Sequence, residues 1–420
     1  MTQQPVEDTG TVPGEVPALE DFDPYNDAFR ADPYPHYERI RALGGPAYWD
    51  YLDSYVVSGH ADATALLADP RMRLEPPDPV AELMATVVPE SLRSMSRTLL
   101  FTDPPDHTRL RGLTRRPFAS PRLGGVLADA RSLADTILAD GLRRGRLEVV
   151  DELAFPVSLQ AIGDLLGVPR ADLPKLRAWG QAMSPAADIP AAPSSIDSAV
   201  AAYEAFDDYF AHLARVRAEN PGDDLFSSLV RAHLDGALSR SELHANAALV
   251  FISGHETLVA FTASAVLSFL RNPAQLALLR EHPELAAAAT EEVMRYESPL
   301  QLATAGGGRW TGEELEIGGR TLPAGVRVLT FIGAANRDPA VYEDPDRFDI
   351  TRAGARHLAL GHGLHYCLGA ALAKQQGTLL LDALARWPAR LASEAVEAPE
   401  WLPLFMQRRL ARLPVTVTAV

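Results

Sequence analysis

Leu360-Gly361-His362-Gly363-Leu364-His365-Tyr366-Cys367-Leu368-Gly369 leads directly into an Ala-rich, helix-forming stretch, and it carries the only cysteine of the 420-residue chain. Three glycines around the sulfur permit unusual turns and close backbone approach. A loop that delivers Cys367 to a helix start aims backbone N–H groups and the positive end of the helix dipole at the sulfur, which stabilises a thiolate.

The rest of the chain narrows the setting of that thiol. One cysteine allows no internal disulfide and fits a reducing, cytoplasmic environment. Hydrophobic residues make up 47% and charged residues 22%, as in ordinary globular proteins. A formal net charge of −16 argues against nucleic acid or an anionic membrane as partner of the whole surface. Residues 1–27 are acidic, contain several prolines and lack a hydrophobic run, so they read as neither a signal peptide nor a membrane anchor. The expectation is a mobile N-terminal tail over 1–20, followed by a single domain over 21–420 acting as a monomer.

Periodicity predicts a mainly α fold with minor β. Tyr48, Trp49, Tyr51, Tyr55, Val56 and Val57 suggest a short strand or hairpin between Ala47 and Ser58. Ser239 and Glu242 form a capping-box pattern that opens a long apolar helix. It continues to Leu270, ahead of Asn272-Pro273. About 30 residues at about 1.5 Å each give roughly 45 Å, enough to cross the middle of a domain. A second helix runs from Pro283 to about Tyr296, closed by Ser298-Pro299. Val326–Ile332 and Val415–Thr418 read as strands.

Read on residues alone, the cysteine loop leaves three possibilities. It is a buried structural cysteine in a Gly-rich turn, a zinc site, or a thiolate ligand to haem iron. Zinc would use His362, His365 and Cys367, but a fourth ligand and the usual Cys-x-x-Cys pairing are missing. Ser253-Gly254-His255-Glu256-Thr257 interrupts the long helix and reads either as a packing groove with a solvent-facing Glu or as a proton-handling site. Glu292 and Arg295 share a helix face, as do His107 and Arg111.

Gly361, Gly363, His365, Cys367 and Gly369 resemble the haem-binding signature of the cytochrome P-450 family, with Leu360 where that family usually has Phe. The resemblance recurs in order from about Asp21 to the end. Gly254, Glu256 and Thr257 resemble its oxygen-activation segment. Glu292 and Arg295 resemble its Glu-x-x-Arg pair, and Pro345-Asp346-Arg347-Phe348 resembles its later meander. Asp103 to Arg111 resembles the segment that enters a helix beside the haem, and Gly333 to Pro339 matches a further hallmark with no assigned chemistry.

The resemblance implies a soluble haem-thiolate monooxygenase with haem b on Cys367 and O2 as co-substrate. In that reading Leu360, Gly361 and Gly369 shape the cysteine loop. His107, Arg111, Arg309 and His365 bind the haem propionates. Gly254 leaves room for dioxygen, while Glu256 and Thr257 help deliver protons. Arg347 completes a structural ion cluster with Glu292 and Arg295. Departures from the family pattern are Leu360, Ser253 for a usual Ala, and Leu258 for a frequent second Thr.

No flavin or iron–sulfur motif is visible, so electrons are expected from an external ferredoxin, docking near Arg109, Arg115 and Arg116. The pocket is expected to be lined by Leu74–Leu100, Ala178–Tyr203, Leu302–Ala305 and Leu404–Met406. These largely apolar segments suit a lipophilic natural-product intermediate such as a polyketide, macrolide, peptide or terpenoid. Oxidative coupling or ring formation without oxygen insertion is the alternative reaction.

Overall fold

The computed structural model describes residues 16–115, 118, 122–188, 193–303, 308–354 and 356–420. Long helices dominate it. Ten strands are named in chain order: β1 Ala47–Trp49, β2 Ser54–Val57, β3 Met72–Arg73, β4 Arg146–Glu148, β5 Arg309–Thr311, β6 Leu315–Ile317, β7 Arg320–Leu322, β8 Arg327–Thr330, β9 Ala389–Ala392 and β10 Pro414–Ala419.

The expected N-terminal hairpin is β1–β2, paired antiparallel with Ala47 opposite Val56. It joins a five-stranded sheet of order β1-β2-β8-β5-β3, in which β2 and β8 run parallel. The Val326–Ile332 run supplies β8. The C-terminal run supplies β10, which lies between β4 and β9. Val415 and Val417 of β10 point inward and their neighbours outward, the alternation that a half-buried strand requires.

The tail boundary moves. Residues 1–15 lie outside the described residues, but Val16 is buried. The Leu19 N–H donates to the Tyr48 carbonyl at 2.7 Å and the Tyr48 N–H donates to the Pro17 carbonyl at 2.9 Å. Residues 16–20 therefore extend the edge of β1 instead of belonging to a tail.

The central helix spans Arg240–Arg271 and begins with the expected capping box, in which both reciprocal bonds are made. It is long and apolar enough to cross a membrane, yet 78% of its most apolar stretch is buried inside the protein. Its apolarity is explained by the helices that enclose it, chiefly Phe155–Leu166, Pro193–Glu219 and Ala370–Arg386. The main hydrophobic core forms around these helices, and smaller clusters lie under the sheet.

Behind the cysteine loop, Arg295 grips Glu292 with two bonds of 2.7 and 2.8 Å, and both side chains are buried. Its Nη1 donates to the carbonyls of Asn336 and Pro345, and its Nη2 also donates to the Arg347 carbonyl. The expected third member is wrong. Phe348 turns inward and packs on Phe269 and Tyr296, which sends the neighbouring Arg347 side chain outward, 64% exposed, to pair with Asp349. Arg352 takes its place, with Nε 3.3 Å from Glu292. The hallmark at 333–339 also gains a role: Asn336 donates to Ser298 Oγ and accepts from the Leu358 N–H, tying that helix end to the approach of the cysteine loop.

Arg352→Ala removes a charged bond from a buried carboxylate and is expected to cost about 1.5–3 kcal/mol. Arg347→Ala breaks an exposed pair and is expected to cost under about 1 kcal/mol. Urea unfolding followed by circular dichroism checks the order; equal losses would return Arg347 to the cluster.

Candidate active site

The cysteine loop is set by its glycines and its own hydrogen bonds. Gly361 and Gly363 both adopt φ near +70°. Gly363 also lies against the Leu67 and Ala68 backbone, where a Cβ would come within 2.9 Å of Ala68 Cα. The Cys367 N–H donates to the Leu360 carbonyl at 2.9 Å, closing the turn. The Leu360 side chain is half-buried against the main core. The helix Ala370–Arg386 begins three residues after the sulfur, with Gly369 as its cap. Burial pushes the Cys367 thiol up, while the Gly369 N–H and the Arg111 charge act in the opposite direction.

Cations converge beside this loop. His107 and His365 lie with ring centroids 4.1 Å apart. Both ring nitrogens of His107, Nε2 of His365 and Nε of Arg309 are buried without a hydrogen-bond partner. Burial, then His107, Arg309 and Arg111, depress the His365 imidazole to about 3. Burial and neighbouring charge lower His107 as well, and burial lowers Arg309 to about 10 despite Asp103. Buried donors without acceptors are costly and rare. A group bearing carboxylates satisfies the N–H donors among them, so the residues present fit a haem with its propionates at this end. Arg111 is held differently: it donates to the Tyr366 carbonyl at 2.7 Å, tying the Asp106–Arg115 helix to the cysteine loop. Among the described residues no group of three His, Cys, Asp or Glu could hold a metal ion, which leaves the zinc reading without a ligand set.

The central helix presents Ser253 and Thr257 on its open face. The Thr257 hydroxyl donates to the Ser253 carbonyl at 3.0 Å, one turn back. Gly254 faces the other way, contrary to its expected place at the oxygen site. A Cβ there would sit 2.5 Å from Ile162 Cγ1, so this glycine lets the central helix approach the Phe155–Leu166 helix. Glu256 is also not solvent-facing. It is buried, with Oε1 3.3 Å from His255 Nε2 and Oε2 3.4 Å from Arg409 Nε. Burial would raise its carboxyl, but His255, Arg409 and Arg177 together hold it below the usual range.

Several of the expected lining segments are tied to one another or to the central helix. Gln301 N–H donates to the Met406 carbonyl, and the Phe405 and Met406 N–H groups donate to Asp188. The Leu99 N–H donates to Asn246 of the central helix. Residues 189–192 and 304–305 of the expected lining lie outside the described residues. Of the docking arginines, Arg109 is committed elsewhere: it pairs with Asp106 and Glu242 and donates to the Ala237 carbonyl. Arg115 is exposed, and Arg116 lies outside the described residues. Sequence reading gave no role to His255, the neighbour of Glu256, and missed Arg177 and Arg409; these lie 78 positions before and 154 positions after His255 in no fixed motif, so no spacing signal existed to find them.

Comparison with known proteins agrees with this geometry. The Cytochrome P450 family model matches residues 179–386. Cytochrome P450 107B1 of Saccharopolyspora erythraea is 35% identical over 417 residues, covering 96% of this chain and 98% of that protein. The chain belongs to the cytochrome P450 family. The P450 monooxygenase PikC of Streptomyces venezuelae is 34% identical, with 95% of this chain and 94% of PikC covered. The crystal structure of CalO2 superposes with a TM-score of 0.87 at 35% identity, covering 95% of this chain and 99% of CalO2. This P450 is a monooxygenase, and the family implies haem, a small-molecule substrate and a redox partner.

Gly254→Ala is expected to cost about 1–3 kcal/mol by overpacking against Ile162. Combined with Ile162→Ala, the loss is expected to fall clearly below the sum of the two single losses. Strict additivity in denaturation midpoints would contradict the packing assignment.

Proposed function

We propose that this P450 inserts one oxygen atom from O2 into a lipophilic natural-product intermediate of the polyketide, macrolide, peptide or terpenoid kind. The observation that carries the reading is the buried set of unpartnered donors on His107, His365 and Arg309 beside the Cys367 loop. Relatives point the same way on substrate class: they include 6-deoxyerythronolide B hydroxylase and the polyketide biosynthesis P450 PksS, 33% and 30% identical to this chain.

Haem b, when bound, supplies the oxygen-activating and electron-accepting chemistry. The chain supplies the rest. Cys367 Sγ is the iron ligand, and the Gly369 N–H and Arg111 favour its thiolate form. His365 and His107 offer ring N–H groups to the propionates, and Arg309 offers charge. Thr257, whose hydroxyl hydrogen is engaged by the Ser253 carbonyl, keeps its oxygen lone pairs toward the cavity. Glu256, held as a carboxylate, relays protons to it. Apolar segments around the cavity exclude water and orient the substrate.

The electron donor is a ferredoxin that docks on the face of the cysteine loop, where Arg115, Leu364 (47% exposed) and Tyr366 (39%) are accessible. The enzyme acts as a monomeric single domain in the cytoplasm, where one free cysteine stays reduced. Coupling without oxygen insertion is the second reading, favoured by likeness to CxnD, a P450 for C–S bond formation, at TM-score 0.83 and 29% identity.

Reconstitution with a ferredoxin, its reductase and 18O2 tests both readings by product mass. Gain of one labelled oxygen is expected; loss of two hydrogens without label would select coupling. In the same assay Arg115→Glu is expected to slow electron delivery and flatten its salt dependence. An unchanged salt profile would remove Arg115 from the docking face.

A further inference from the structure

His255 stands inside the oxygen-side segment, and the mechanism above does not use it. Its side chain is fully buried, and its surroundings fix its protonation. Nδ1 lies 2.7 Å from the Phe251 carbonyl, an atom that can only accept, so Nδ1 carries a hydrogen. The ring cannot turn away. Phe251 and Phe155 pack on it, and a Cβ at Gly180 would approach its Cε1 to 3.2 Å.

The remaining ring atom, Nε2, faces Glu256 Oε1 at 3.3 Å, and neither atom has another hydrogen-bond partner. A neutral ring there would set a nitrogen lone pair against a carboxylate oxygen, both buried. One proton between them removes that conflict. The other charged groups facing the pair are Arg409, 3.4 Å from Glu256 Oε2, and Arg177 from the Leu173–Met183 helix. Arg177 reaches Asp151, which is well exposed. Both guanidinium groups lie over the Phe155 ring, Arg177 at 3.6 Å and Arg409 at 5.4 Å from its centroid, and Arg177 shares its helix with Gly180. Two guanidinium groups beside the carboxyl favour its ionised form, which places the shared proton on the imidazole.

We propose that His255 is a proton-holding positioning residue: with Glu256 it forms a buried imidazolium–carboxylate pair that keeps one exchangeable proton next to Thr257. This rests on the reading of Glu256 and Thr257 as the proton-delivering residues. When a proton is drawn through Thr257, the Nε2 proton passes to the carboxylate and onward, leaving a neutral imidazole. A proton from solvent water then restores the imidazolium, so the pair ends each cycle as it began. Arg409 and Arg177 stay charged throughout and hold the carboxylate in place.

The test uses the haem-loaded enzyme in its ferrous, carbon monoxide-bound form, labelled with 15N-histidine. His255 is assigned by its loss in His255→Gln. At neutral pH both His255 ring nitrogens are expected to carry hydrogen in the wild type. In Glu256→Gln, Nε2 is expected to shift to a lone-pair nitrogen. A lone-pair Nε2 in the wild type, or no change in Glu256→Gln, overturns the proposal. During turnover, His255→Gln is expected to raise peroxide released per electron pair severalfold and to enlarge the solvent isotope effect, with an unchanged carbon monoxide spectrum. An unaltered isotope effect would reduce His255 to a packing role. If Glu256→Gln itself keeps wild-type coupling, the proton-delivery reading fails; if it uncouples while wild-type Nε2 bears a lone pair, only the His255 proposal fails.

Discussion

His107, His365 and Arg309 are buried together with nitrogen donors that have no acceptor among the described residues. A fold does not ordinarily bury such groups, because each loses its hydration without a replacement bond. The arrangement makes sense when an anionic partner completes it, and everything nearby is built to keep those donors in place. The Asp106–Arg115 helix is tied by Arg109 to the start of the central helix and by Arg111 to the cysteine loop. Arg309 lies on β5, clamped in the sheet, with one guanidinium nitrogen on the Leu67 carbonyl. The loop bearing His365 and Cys367 is backed by the Glu292–Arg295–Arg352 cluster and by Asn336.

Two kinds of rigidity thus serve one site. Behind the sulfur the rigidity is ionic and buried, and it keeps a Gly-rich loop in one conformation. On the opposite side it is steric: Gly254 brings the central helix onto Ile162 and leaves Ser253 and Thr257 on the helix's open face. Close approach there explains why a glycine interrupts an otherwise strong helix, and why the charged and histidine side chains of that turn are driven to the buried side, toward Arg409 and Arg177.

Local signals survived from sequence to structure. The capping box at Ser239 and Glu242, the β1–β2 hairpin, the alternation in β10 and the loop glycines each depend on neighbours a few residues away, and all are found where they were read. Assignments that depended on distant partners fared less well. Arg347 looked like the cluster cation because it sits in the right motif. The inward turn of Phe348 hands that position to Arg352, five residues on. Gly254 was read toward the ligand because its partner, Ile162, lies on a helix 92 positions earlier. Glu256 read as solvent-facing or cavity-facing, while its partner Arg409 comes from near the C-terminus. Arg109 looked available for docking until its pairing with Glu242 was seen.

The central claim is that Cys367 provides a thiolate to haem iron. The most direct measurement is the visible spectrum of the purified protein, reduced with dithionite and exposed to carbon monoxide, alongside Cys367→Ala. A Soret band well to the red of the histidine-ligated position, lost in the variant, is the predicted result. Absence of haem, or a histidine-type band unaffected by Cys367→Ala, would contradict the account.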